Sequence, residues 1–369
     1  MDFLSSIFMN IIPFVVVLSI LVYVHEMGHY VVARLNGVRV EVFSIGFGPE
    51  IFGWNNKNGM RWKVSYIPLG GYVKLASDDE IEGTKESRSD PGSMMNKTPW
   101  QRIAISIAGP AANYILAIIL LTGLYVTVGQ RIPLNQVHLG ETLNESAAEK
   151  AGLKKDDILI DLEGVEKLSV ETFQKAIADN PEKELILTVR RGEETLVLKA
   201  TPDKNELPGG KIVGRLGLGF APVVKNEVRG FFAAVGHAAK DTLEMTVQTL
   251  KALGQMIIGE RSSDGLSGPI GIATVTGQIA QQGITALIWL GAVLSINLGL
   301  INLFPVPMLD GGHIFFYLIE AIRGKPVHEK AQEVAYRVGF GLVMLLILFL
   351  TWKDLSRLAI PQWIMGLFS

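Results

Sequence analysis

Four stretches of this 369-residue chain are apolar enough to cross a bilayer, and that restricts its fold more than anything else in the sequence. The first runs from Ile7 to Val24 and passes directly into HEMGHYVVARL, with only Asn10 and Ser19 polar before His25. The second lies between Arg102 and Arg131, which bracket 28 uncharged residues, ample for the roughly 20 that a spanning helix needs. A third runs from Ile284 to Phe304 inside an uncharged stretch that reaches Leu309. The fourth fills the 15 residues between Arg337 and Lys353, only about 23 Å of helix, so its flanking cations must snorkel or the bilayer must thin. Composition agrees, since 49% of the chain is hydrophobic and only 19% is charged. The expected fold class is an α-helical polytopic membrane protein with four transmembrane helices.

The first stretch lacks a basic leading region and continues into His25 and Glu26 instead of a small-residue cleavage site, so it reads as a span and not a signal peptide. Basic residues set the orientation. Arg34, Arg39, Lys57, Arg61, Lys63, Lys74, Lys97 and Arg102 flank or fill the first connection, whereas the first ten residues carry none. The first connection is therefore expected in the cytoplasm. The long second connection and both termini then lie outside, and the short loop with Arg323, Lys325 and Lys330 lies inside.

A net charge of −2 leaves no basic excess, and no nucleotide motif is present, so nucleic acid is not an expected partner. The chain has no cysteine, so any zinc must rest on histidine and carboxylate. His25-Glu26-Met27-Gly28-His29 is an H-E-x-x-H motif: on a helix its two histidines project from one face as a pair of zinc ligands, with Glu26 beside them to act on water. Ionisable side chains at a membrane span are costly, which favours a functional role for all three. The candidate third ligand is Asp310, in Asn302-Leu303-Phe304-Pro305-Val306-Pro307-Met308-Leu309-Asp310-Gly311-Gly312, just past a span that descends to the same face as the first. Pro305 and Pro307 should break the helix there, and Gly311 and Gly312 should let backbone approach the metal. His313 is a rival third ligand. His138, His237 and His328 read as solvated.

These blocks resemble, over nearly the whole chain, the bacterial site-2 protease family, the RseP type of intramembrane zinc metalloprotease (M50). The resemblance implies that His25, His29 and Asp310 bind Zn2+ and that Glu26 is the catalytic base of a metalloendopeptidase. It further implies that Asn297 and Asn302, before the proline-rich block, contact substrate. For Asn297 the rival reading is a polar bond between helices. Residues Val42 to Leu75, with a turn at Asn55-Asn56-Lys57-Asn58-Gly59, read as a hairpin. In the family a membrane re-entrant β-hairpin occupies this place, followed by a substrate-binding GGY element, here Gly70, Gly71 and Tyr72; a purely structural hairpin is the alternative. The acidic stretch from Asp78 to Asp90 reads as a solvated loop.

The outer connection reads as one extracytoplasmic PDZ-like α+β domain: a short helix ending at Gly152, a strand near Ile158, a helix from Ser169, and a hairpin from Leu185 to Ala200. Gly217-Leu218-Gly219-Phe220 copies a PDZ carboxylate loop but stands at the domain's end. Expected divisions are 1–132 (membrane core, with the hairpin), 133–224 (PDZ-like domain), 225–283 (amphipathic segment on the membrane surface) and 284–369 (second membrane core, with an interfacial tail around Trp363). The resemblance implies single-span membrane proteins as substrates, such as an anti-sigma factor first clipped by a site-1 protease, or remnant signal peptides. It also implies lipid contact and residence in the bacterial inner membrane. A non-catalytic scaffold using the PDZ-like groove is the competing class, and Glu26 argues against it.

Overall fold

The computed structural model describes residues 3–57, 59–77, 85–206, 212–260, 262 and 265–357. Its elements are, in order, α1 (Phe3–Leu35), β1 (Val40–Asn55), β2 (Arg61–Leu75), α2 (Lys85–Ser89), α3 (Pro99–Thr127), β3 (Gln130–Thr142), α4 (Ala147–Lys150), β4 (Ile158–Leu162), α5 (Val170–Asp179), β5 (Leu185–Arg191), β6 (Glu194–Ala200), β7 (Asp203–Glu206), β8 (Ile212–Arg215), β9 (Leu218–Glu227), α6 (Phe231–Ile257), α7 (Pro269–Ala280), α8 (Ile284–Asn302), α9 (Asp310–Arg323) and α10 (Glu329–Arg357). They form two compact units, Met1–Val126 with Gly230–Ser369, and Thr127–Arg229. The second unit is wider than 133–224 because β3 and β9 pair out to Gln130 and Glu227.

Among the described residues of the first unit, four helices are long and apolar enough to cross a membrane, over Met9–Leu35, Pro99–Thr127, Ile284–Asn302 and Lys330–Ser356. The fourth is not short: α10 runs on through Arg337 and Lys353, and Arg337 pairs with Glu333 one turn back. Asp354, buried near its end, accepts from the amides of Gly268 (3.1 Å) and Gly271 (2.8 Å) and so caps α7. At Gly277, α7 approaches α1 so closely that a side chain would collide with Asn10. α6 buries Ala234, Ala238, Thr242 and Thr246, while Phe231, Phe232, Leu243 and Ile257 are exposed. Tyr125 Oη donates to Asp241 at 2.6 Å, and Thr246 Oγ1 to Tyr114 Oη at 3.3 Å, joining α3 to α6.

β1 and β2 form a hairpin with an uncommon register. Phe43 pairs with both Val73 and Trp62, so residues 42–45 lie between two parts of β2. Its base is rooted in a core of Val38, Val40, Phe43, Leu75 and Met94 with Ala33 of α1 and Ile105 of α3. Its far end leaves Ile51, Phe52, Tyr66 and Ile67 exposed. Of the acidic stretch, residues 78–84 lie outside the described residues; the remainder forms α2 and ends at Asp90, which pairs with Arg39 at 3.0 Å. The tail around Trp363 is also outside them.

The second unit is a five-stranded sheet in the order β6-β5-β4-β3-β9, packed on α4 and α5 around Leu139, Leu159, Phe173, Leu187 and Val189. Ser169 and Thr172 make a reciprocal capping box that starts α5, and Gly152 at φ +76° ends the turn after α4. Asp157 is fully buried and accepts two 2.8 Å bonds from the Arg191 guanidinium. Burial pushes this carboxyl up, but Arg191 and the Lys154 amide outweigh it and hold Asp157 below the usual carboxylate range. β9 is an edge strand, and a cavity of about 600 Å³ separates the passage from the end of β8 into β9, Arg215 to Phe220, from Gln174 and Ile177 of α5.

Candidate metal centre

His25 and His29 are one turn apart on α1, and Asp310 is the first residue of α9; their ligand atoms all lie within 4.8 Å of one another. His25 Nε2 is 3.2 Å from His29 Nε2 and 3.2 Å from Asp310 Oδ2, and His29 Nε2 is 3.4 Å from Asp310 Oδ1. The ring nitrogens decide what this cluster can hold. His29 Nδ1 donates to the Ile105 carbonyl at 2.8 Å. A carbonyl only accepts, so the neutral ring keeps its proton on Nδ1 and presents a lone pair at Nε2, towards a carboxylate. Asp310 Oδ2 is buried without a hydrogen bond. Lone pairs converging at this distance need a shared cation, and two imidazoles with one carboxylate suit a tetrahedral zinc that keeps an open position.

Close helix packing builds the cluster. A Cβ on Gly28 would collide with the Ala108 carbonyl, and one on Gly109 with the His29 imidazole. Only glycine at both places lets α1 and α3 cross here. α8 stops at Asn302, and Pro305 and Pro307 occupy an irregular loop in which Met308 holds φ at +90°, a strained value for a side-chain-bearing residue. Side chains at Gly311 and Gly312 would strike the carbonyls of Leu303, Phe304 and Val306, so these glycines let α9 fold onto its own preceding loop, which places Asp310. Farther along α9, the buried Arg102 pairs with Glu320 and lies 4.7 Å from the centre of the Tyr317 ring, tying α9 to α3. His313 is not in the cluster; its Nδ1 is 3.2 Å from Tyr336 Oη on α10.

Glu26 adjoins the two histidines and its carboxylate receives the Val73 amide of β2. Gly71 has no room for a side chain: a Cβ there would sit 2.7 Å from the Ser44 carbonyl, 2.8 Å from Val22 and 3.4 Å from Glu26 Cγ. Gly70 adopts φ +150° beneath the Phe47 ring, and Tyr72 stacks on Phe47 with centroids 6.2 Å apart. Within Gly70-Gly71-Tyr72, Gly71 therefore lies against the face of α1 that carries Glu26, and its two neighbours pack on Phe47. Asn297 is engaged elsewhere, accepting from Thr249 Oγ1 of α6 at 3.4 Å, and Asn302 forms the last residue of α8.

Sequence reasoning missed Gly109 and Asn113, and took Arg102 only as a charge that brackets a span and orients the chain. Asn113 is fully buried on α3, and its Nδ2 lies 3.1 Å from His25 Nδ1. Its signal was present, an amide inside an otherwise apolar span, which is costly enough to call for a partner.

The model of the family described as Peptidase family M50 matches residues 13–346. A protein of Agrobacterium fabrum, provisionally named a zinc metalloprotease, is 39% identical over 94% of this chain and 96% of its own length. Metalloprotease MmpA of Caulobacter vibrioides is 34% identical over 96% and 97%. The Regulator of sigma-W protease RasP of Bacillus subtilis is 31% identical over 95% and 99%. A match that runs from the first apolar helix through the fourth, with the H-E-x-x-H pair and Asp310 inside it, means that the chain belongs to peptidase family M50.

Proposed function

We propose that this peptidase is an intramembrane zinc metalloendopeptidase in which His25, His29 and Asp310 hold Zn2+ and Glu26 is the general base. The observation that carries the reading is the convergence of three ligand atoms within 4.8 Å from helices 281 residues apart in sequence, beside a glutamate (Asp310 against His29). Bound zinc supplies Lewis acidity, which lowers the pKa of water to about 7 and polarises a scissile carbonyl. Glu26 takes the proton from the attacking water and passes it to the leaving amine. The Val73 amide of β2 offers the Glu26 carboxylate a hydrogen-bond donor.

A substrate helix hides its peptide bonds in its own hydrogen bonds, so it must unwind first. The hairpin of β1 and β2, proposed as re-entrant, offers exposed apolar side chains at its tip and strand backbone beside Glu26 at Gly70, Gly71 and Tyr72, to which an extended substrate can pair. Asn297 and Asn302 are the proposed side-chain grips. The 127–229 unit reads as a PDZ-like domain outside the inner membrane; its edge strand β9, beside α5, supports binding of an extended peptide, and the cavity near Gly217 would take the peptide's end. Single-span membrane proteins are the proposed substrates. The relative RasP regulates sigma-W by its name, and an anti-sigma factor already clipped outside the membrane fits that class.

The test is cleavage of a model transmembrane peptide by the purified protein. Glu26→Gln keeps all three ligands and should lower the rate by roughly two orders of magnitude or more while zinc and substrate remain bound. Full activity in that variant would remove the mechanism and favour the scaffold reading.

A further inference from the structure

Both histidines of the cluster turn their second ring nitrogen towards α3. His29 Nδ1 meets the Ile105 carbonyl at 2.8 Å, and His25 Nδ1 meets the Asn113 side chain at 3.1 Å. Asn113 is fully buried, its Oδ1 has no hydrogen-bond partner, and its backbone carbonyl accepts from Ser295 Oγ of α8 at 2.8 Å, which fixes its place between two spans. A neutral imidazole that offers Nε2 to a cation carries its proton on Nδ1, and that proton needs an acceptor. The two ends of an amide have nearly the same shape, and the hydrogen-bond network decides between them. With Nδ2 towards the ring, the amide would meet an N–H and leave Oδ1 orphaned. Turned by 180°, Oδ1 accepts from His25 Nδ1–H.

We infer that Asn113 is a positioning residue of the metal centre, accepting a hydrogen bond from His25 Nδ1–H and so fixing the tautomer and ring angle that present Nε2 to zinc. Helix α3 then supplies one acceptor to each histidine, a backbone carbonyl at Ile105 and a side-chain amide at Asn113. The division has a geometric reason. Ile105 lends a carbonyl by close approach near the Gly109 crossing, whereas His25, one turn away along α1, is reached from α3 by a side chain. Acceptors of this kind are worth about 10- to 100-fold in metal affinity.

The inference rests on His25 being a zinc ligand, and the test separates the two claims. Zinc affinity is measured by chelator competition on the full chain for wild type, His25→Ala, Asn113→Leu and Asn113→Asp, with thermal melts of the metal-free forms as a check on folding. Asn113→Leu fills the space without an acceptor and should weaken zinc binding about 10- to 100-fold. Asn113→Asp can accept but not donate, so it should bind zinc at least as tightly as wild type. Zinc affinity in Asn113→Leu within threefold of wild type would overturn the inference, and so would Asn113→Asp tenfold weaker than wild type, the result expected if the amide donated to the ring. Should Asn113→Leu fail to fold, Asn113→Asp decides alone. Undiminished zinc affinity in His25→Ala would instead sink the ligand assignment.

Discussion

The two units of this protein treat their apolar side chains differently. In Thr127–Arg229 the interior is apolar, with Phe173, Leu159, Leu187 and Val189 out of contact with solvent, and the buried carboxylate Asp157 is neutralised in place by Arg191. In the helical unit large apolar side chains such as Leu345, Leu348 and Trp352 face outward, while His25, Asn113, Ser295 and Arg102 are buried. The difference is one of solvent. Lipid takes up apolar side chains without penalty, so that unit can leave many of them outside its own apolar core of Phe43, Ile105, Leu121 and Ile296 and still bury polar groups where they find partners. Buried polar groups serve structure in both units, as at Asp157 and at Arg102, and in the helical unit they also surround the candidate metal centre.

The largest effect that would sharpen this contrast is at Gly109. A single methyl in Gly109→Ala would press on the His29 ring, and a displacement of about 1 Å at a reacting centre costs about 100-fold in rate. Gly123→Ala, on the same helix with open space around it, should leave peptide cleavage unchanged. Equal rates in the two variants would mean that the α1–α3 crossing does not set the geometry of the centre.

In the other unit the matching experiment is thermodynamic. Asp157→Ala leaves Arg191 without its buried partner and should lower the protection of residues 127–229 against hydrogen exchange by about 2 kcal/mol, the worth of hydrogen bonds to a charged group, with zinc content unchanged. Because the folded carboxyl lies below its unfolded value of about 3.9, its contribution is complete above that pH and disappears as pH falls through the lower folded value. Wild-type protection should therefore fall in acid more steeply than that of Asp157→Ala. A loss of zinc in Asp157→Ala would erase the distinction between the units.

Asn297 should give the smallest effect. Losing one substrate hydrogen bond in Asn297→Ala costs about 1 kcal/mol, or about fivefold, on a stable transmembrane helix. The loss should be smaller on substrates already loosened by Gly or Pro, which need less unwinding. Equal losses on both would leave Asn297 as the bond to Thr249 that joins α8 to α6.

The convergence of His25, His29 and Asp310 is legible in the sequence because each half is local: two histidines one turn apart, and an aspartate behind two prolines. The parts that were not legible depend on long-range approach. Gly109 and Asn113 gain meaning only when α1 lies against them. The double register of Phe43 requires β2 to return past β1, which no turn signal states. The length of α10 was underestimated because counting uncharged residues stops at Arg337, whereas Glu333 one turn back lets the helix continue through that cation. The crowding of Gly311 and Gly312 by the carbonyls of their own loop likewise appears only once α9 folds back on that loop.

The central claim is the identity of the three ligands, and metal content tests it most directly. Protein purified without added metal should contain about one zinc per chain, as should His313→Ala, whose ring is held to Tyr336 and not to the cluster. Asp310→Ala should lose it. Zinc retained in Asp310→Ala and lost in His313→Ala would contradict the account.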